Sequence, residues 1–178
     1  MEYKLKKLSI RDISNLNNIY KYLESNPKCL KSLFEKTRGK NNHHATKIGV
    51  LDQQGARGST AGIVNYRGVD KISKLSEEHP FLDDLLLVFL NFHRPDFIFN
   101  SVFITKNCQS KPHKDGNSSF SVIVTVGDFE GGGLYVEENF EKTHLFPIRT
   151  YSLEFNGSIY KHWTEPFSGT RYSLIFYN

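Results

Sequence analysis

The sequence predicts an α+β domain in which N-terminal helices back an antiparallel double-sheet roll, and three observations lead there. Helical periodicity dominates the first half of the chain, six apolar strand patterns follow residue 96, and glycine-rich turns join several of those strands. A roll of this kind encloses its ligand site between the sheets.

Taken in order, Ser9 is a helix cap with Asp12 three residues on, and Ile13, Leu16, Ile19, Tyr20 and Leu23 recur at helical spacing. After Pro27 a shorter helix carries Cys29, Leu30, Leu33 and Phe34 and closes at Gly39. Residues 39–68 turn polar and glycine-rich, interrupted by short strands at 47–51 and 63–66. Loops 41–44 and 55–59 are long connections of the kind that carry substrate contacts; His43 and His44 read as solvated loop histidines, and Arg57 between two glycines as either a contact or a solvated residue. A helix starts at Ser76 and runs through residues 81–92, apolar nearly all round as a helix buried on a sheet would be, until Pro95 ends it. Strands follow at 97–99, 101–105, 120–126, 133–136, 151–155 and 172–177, with tight turns at Gly127-Asp128 and at 130–133.

At 178 residues the chain is long enough for one domain with a full core. No apolar run reaches the roughly 18 to 20 residues of a membrane span, and no h-region follows the charged N-terminus. The expectation is an intracellular protein, cytoplasmic or nuclear. Cys29 and Cys108 lie far apart and form no CxxC motif, which argues against both a disulfide framework and a cysteine zinc site. A net charge of +4 and a pI near 9.0 permit a polyanionic partner.

The chemistry concentrates in residues 111–117, Lys-Pro-His-Lys-Asp-Gly-Asn. On an extended strand His113 and Asp115 share a face, and His162 returns 49 residues later. Two histidines and one carboxylate on one face of a metal, with the other positions open, suit non-haem Fe(II); zinc accepts the same donors. Arg171 and Ser173 alternate onto one face of the last strand. A guanidinium buried there needs an anion, and a dicarboxylic co-substrate supplies one.

These residues, with the Gly131-Gly132-Gly133-Leu134-Tyr135-Val136 turn and strand and Arg171-Tyr172-Ser173, resemble the Fe(II)/2-oxoglutarate-dependent dioxygenase superfamily over residues 97–178. The resemblance implies a double-stranded β-helix (jelly roll), with residues 1–178 as one dioxygenase domain. Residues 1–96 then supply supporting helices, loops and outer strands around the 97–178 catalytic core. It implies Fe(II) on His113, Asp115 and His162, and 2-oxoglutarate on Arg171 and Ser173, with O2 as oxidant. Among further co-substrate contacts from strand 101–107, Ser121 or Tyr135, Asn107 is the first choice. The stretch from His113 to Asn117 is similar to the His-x-Asp-x-Asn of the TET/JBP branch, and residues 171–176 resemble the last strand of AlkB-like demethylases. Both imply a nucleobase of DNA or RNA as substrate, with Asn117, Trp163 and Arg57 as contacts, while Lys106, Lys111 and Lys114 read as a solvated edge. The alternatives are a peptide or protein substrate of prolyl-hydroxylase type and a non-catalytic jelly-roll binding module. Oligomeric state is open.

Overall fold

The computed structural model describes residues 1–26, 29, 58–117 and 119–178. The helix read after Pro27, the strand at 47–51, His43, His44 and Arg57 fall outside the described residues, apart from buried, helical Cys29.

Among the described residues, ten strands and three complete helices follow one another: β1 (Tyr3–Lys7), α1 (Ile10–Ser25), β2 (Gly58–Tyr66), β3 (Val69–Ile72), α2 (Lys74–Glu78), α3 (Pro80–His93), β4 (Ser101–Lys106), β5 (Ser121–Gly131), β6 (Leu134–Asn139), β7 (Lys142–Phe146), β8 (Tyr151–Phe155), β9 (Lys161–Thr164) and β10 (Phe167–Tyr177). A seven-stranded sheet in the order β1-β8-β5-β10-β4-β2-β3 faces a three-stranded sheet in the order β7-β6-β9, and every pairing is antiparallel. This is the double-stranded β-helix that the sequence led us to expect.

Alternation along the central strands sorts the two faces of the large sheet. In β10, Tyr172, Leu174 and Phe176 are fully buried under the helices, while Arg171, Ser173, Ile175 and Tyr177 face the interior of the roll. Likewise β5 sends Val122, Val124 and Val126 to the helical side and Ser121 and Ile123 inward. The helical layer answers with Leu16, Ile19 and Leu23 of α1 and Leu82, Leu86, Phe89 and Leu90 of α3. Each such side chain contributes roughly 1.5–3 kcal/mol on burial. A second apolar cluster, including Leu134, Val136, Ile148 and Leu153, fills the small-sheet side.

The Ser9 cap forms as read: its hydroxyl accepts from the Asp12 amide and Asp12 accepts from the Ser9 amide, closing a capping box. Asp12 then reaches His93 at the end of α3 at 2.8 Å, and His93 Nε2 meets Ser152 Oγ of β8 at 2.7 Å. This buried chain staples both helices to the sheet.

Four local expectations are corrected. Residues 97–99 form no strand. Gly127-Asp128 is no turn: β5 runs through it, and Gly127 takes φ +137° because a Cβ there would sit 2.1 Å from the Thr170 carbonyl oxygen. The third helical stretch splits, since Ser73 caps a short α2 before Pro80 opens α3. Nor is α3 buried all round, for Phe81, Leu87, Val88 and Phe92 are exposed.

Candidate active site

His113 and Asp115 sit outside the named strands, which corrects the simple strand picture, yet the backbone still fixes them. His113 exchanges both main-chain hydrogen bonds with His162 of β9, at 3.0 and 2.9 Å, and the Asp115 amide donates to the Gly157 carbonyl at 2.9 Å. Segment 110–113 thereby extends the small sheet beyond β9, with Ser110 bonded to Thr164. Sequence distance closes through that pairing.

The two imidazoles and the carboxylate converge. Nε2 of His113 and Nε2 of His162 each lie 3.5 Å from Asp115 Oδ1, and one donor atom from each residue falls within 4.8 Å of the others. Both Nδ1 atoms are committed elsewhere: His113 Nδ1 donates to the Lys111 carbonyl at 2.6 Å, and His162 Nδ1 to the Tyr160 carbonyl at 2.9 Å. A carbonyl only accepts, so the proton sits on Nδ1 and each Nε2 lone pair is turned to the shared point. This is how metal-binding histidines are oriented, and the N, N, O donor set fits a first-row divalent ion. Burial works to raise the Asp115 carboxyl, but its contacts with His113 and His162 prevail and hold it well below the ordinary carboxylate value.

Two glycines make room for these groups. A Cβ on Gly157 would lie 2.2 Å from Asp115 Oδ2, and a Cβ on Gly132 would lie 2.8 Å from Arg171 Nε. Phe155 meets the His162 ring edge-on at 5.1 Å.

The triad opens into a cavity of about 460 Å3 whose wall includes Arg171, Ser173, Thr105 and Thr60. Arg171 is 2% exposed. Its Nε donates to the Gly132 carbonyl at 3.1 Å, and Phe167 and Phe129 flank its guanidinium at 5.3 and 5.8 Å. No carboxylate among the described residues pairs with it. Burial pushes its pKa down to about 10. A desolvated cation without a counter-charge fits an anionic ligand carboxylate. Ser173 and Thr105 stand opposite one another in register with their hydroxyls hydrogen-bonded. Thr105 was not singled out from the sequence, although β10 alternation combined with pairing to β4 finds it.

Other expected contacts are placed differently. Asn107 does not line the cavity. Its Oδ1 accepts from the Arg171 amide at 2.8 Å and its own amide donates to the Arg171 carbonyl at 2.7 Å. Trp163 is likewise absent from the wall and stacks on Tyr135 at 5.4 Å. Asn117 and Ser121 do line it, bonded to each other at 3.1 Å.

No family model and no curated protein sequence matches the chain. Solved structures do. NgTET1 in complex with 5mC DNA superposes with TM-score 0.53 at 15% identity, over 91% of this chain and 68% of that one. A prolyl hydroxylase from Trichoplax adhaerens, in complex with a hypoxia inducible factor oxygen degradation domain peptide fragment, gives TM-score 0.54 at 15% identity, over 98% and 82%. A Pseudomonas putida prolyl-4-hydroxylase gives 0.52 at 11%, over 99% and 92%. The chain therefore has the double-stranded β-helix fold that these proteins share.

Proposed function

We propose that this chain is an Fe(II)- and 2-oxoglutarate-dependent dioxygenase, an oxidoreductase that hydroxylates a C–H bond of a nucleobase in DNA or RNA. One observation carries the reaction class: a His113–Asp115–His162 donor set opens on the same cavity as a buried Arg171 that meets no described carboxylate. His113, Asp115 and His162 hold the metal, and Arg171 with Ser173 and Thr105 takes the far carboxylate of the co-substrate. Bound there, Fe(II) and 2-oxoglutarate supply O2 activation, with succinate and CO2 as co-products of the hydroxylation. The protein orients both Nε2 donors through Lys111 and Tyr160 and leaves coordination positions open. Ile123, Leu134 and Phe155 form the apolar part of the wall.

The nucleobase reading is supported by Asn117 on the cavity wall, by the basic charge of the chain and by the likeness to the 5mC DNA complex. A peptide substrate is the second reading, favoured by the comparable likeness to the peptide complex and by β3, an exposed strand with one edge that no described strand pairs. The experiment is aerobic incubation with Fe(II) and 2-oxoglutarate against methylated DNA, RNA and peptide pools, read by mass spectrometry. A gain of one oxygen on a nucleic acid, coupled to succinate, is the expected result. Oxygen gained only on peptide selects the second reading. No succinate with any pool leaves a binding module.

A further inference from the structure

We infer that Lys114 grips an anionic group of the substrate, the phosphodiester beside the target nucleotide, at the mouth of the cavity. The inference rests on the oxygenase reading and concerns what that site must receive.

Among the described residues lining the cavity, the ionic side chains besides the two histidines are Lys114, Asp115 and Arg171. Asp115 and Arg171 cancel one another, and a divalent metal cancels a co-substrate dianion. One positive charge is left, and it belongs to Lys114. A phosphodiester carries one negative charge.

The surroundings leave that charge uncompensated. Some other lysines have carboxylate partners, Lys106 with Glu24 at 3.4 Å, Lys161 with Glu137 at 2.7 Å and Lys4 with Glu154 at 3.3 Å, and those with none among the described residues, such as Lys7 and Lys21, do not line the cavity. Lys114 has none among the described residues. It is exposed, yet it reaches the wall of the cavity. Its backbone is well held, because both neighbours are pinned, His113 to His162 and Asp115 to Gly157. Lys114 stands between the two donors, exposed to solvent and on the cavity wall, so it sits at the mouth that an incoming substrate meets. An uncompensated cation at that mouth attracts and orients an anion. In a flipped nucleotide the phosphate lies within a few bonds of the base, so one lysine holds the backbone while the base enters.

The test uses the full chain with Fe(II) and 2-oxoglutarate under anaerobic conditions. Fluorescence anisotropy follows a short labelled single-stranded oligodeoxynucleotide and its uncharged methylphosphonate counterpart. Lys114→Glu is expected to weaken oligodeoxynucleotide binding at least about tenfold and to lower the salt slope by about 0.7, the single-strand value for one phosphate contact. Lys114→Arg should retain binding, and the methylphosphonate should be indifferent to the substitution. Lys7→Glu, an equal charge change on exposed β1, should have a smaller effect. Binding unchanged in Lys114→Glu, an equal loss in Lys7→Glu, or Lys114-dependent binding of an acidic peptide instead of the oligodeoxynucleotide overturns the proposal. The visible chelate band of the same samples reports the oxygenase reading separately. A band with a silent Lys114→Glu refutes the lysine's role alone, whereas no band in the parent protein refutes the reading and the charge count together.

Discussion

Asn107 and Arg171 clasp each other at the end of β4: the Asn107 amide donates to the Arg171 carbonyl, and Asn107 Oδ1 accepts from the Arg171 amide, at 2.7 and 2.8 Å. Asn107 adopts φ +49° to do so, a conformation that asparagine tolerates better than most residues. It therefore holds the Arg171 backbone and not the cavity wall.

Asn107→Ala is expected to raise the half-saturating 2-oxoglutarate concentration about three- to tenfold, in line with losing one partly buried hydrogen bond of roughly 1 kcal/mol, with metal affinity unchanged. Asn107→Gly removes the backbone strain and should keep that deficit. Equal 2-oxoglutarate titrations for parent and variants would leave Asn107 a purely structural role.

Arg171→Ala should raise the 2-oxoglutarate requirement at least about 100-fold, about 3 kcal/mol, because it deletes a desolvated charge pair with the co-substrate. Metal retention, measured by equilibrium dialysis, should be nearly intact. A silent variant would place the anion site elsewhere.

Gly157→Ala tests the cradle under Asp115. Its Cβ would overlap Asp115 Oδ2, so metal affinity should fall about 10- to 100-fold, the cost of disturbing a ligand's support. Circular dichroism should show the fold retained. Affinity equal to the parent would mean that Asp115 has room to move.

How much of this was legible in the sequence follows from the kind of contact involved. That Arg171 and Ser173 share a face was readable because strand alternation is a local property, whereas the convergence of His113 and Asp115 with His162 comes from a bridge between distant segments. Strands β1 and β3 were not, because sequences such as Tyr-Lys-Leu-Lys-Lys and Val-Asp-Lys-Ile are exposed throughout and are held by backbone pairing at sheet edges. Gly127 read as a turn because a glycine in sequence does not say whether it bends the chain or admits a neighbour. The roles of Gly132 and Gly157 depend on side chains that arrive from distant segments, and Asn107 was placed in the right neighbourhood without its orientation.

The Asp12–His93–Ser152 staple gives a pH prediction. Burial lowers the His93 pKa despite Asp12 beside it; for Asp12 burial raises the carboxyl, and hydrogen bonds from Ser9 and His93 outweigh that and lower it. Both folded-state values lie below the ordinary 6.5 and 3.8, so the folded state binds fewer protons than the unfolded chain. Stability is fully present above pH 6.5, is lost first as pH falls through the His93 window, and is lost further below 3.8. Thermal melts across that range should show this decline, and His93→Gln should flatten its upper part. A decline unchanged by His93→Gln would assign it to other groups.

The central claim is that His113, Asp115 and His162 hold an iron whose open positions take 2-oxoglutarate anchored by Arg171. Anaerobic addition of Fe(II) and 2-oxoglutarate, followed by visible absorption, tests it most directly. The account predicts a weak charge-transfer band that His113→Ala and Asp115→Ala abolish and that Arg171→Ala shifts to much higher 2-oxoglutarate concentration. No band in the parent protein, or a band that survives loss of His113 and Asp115, would contradict it.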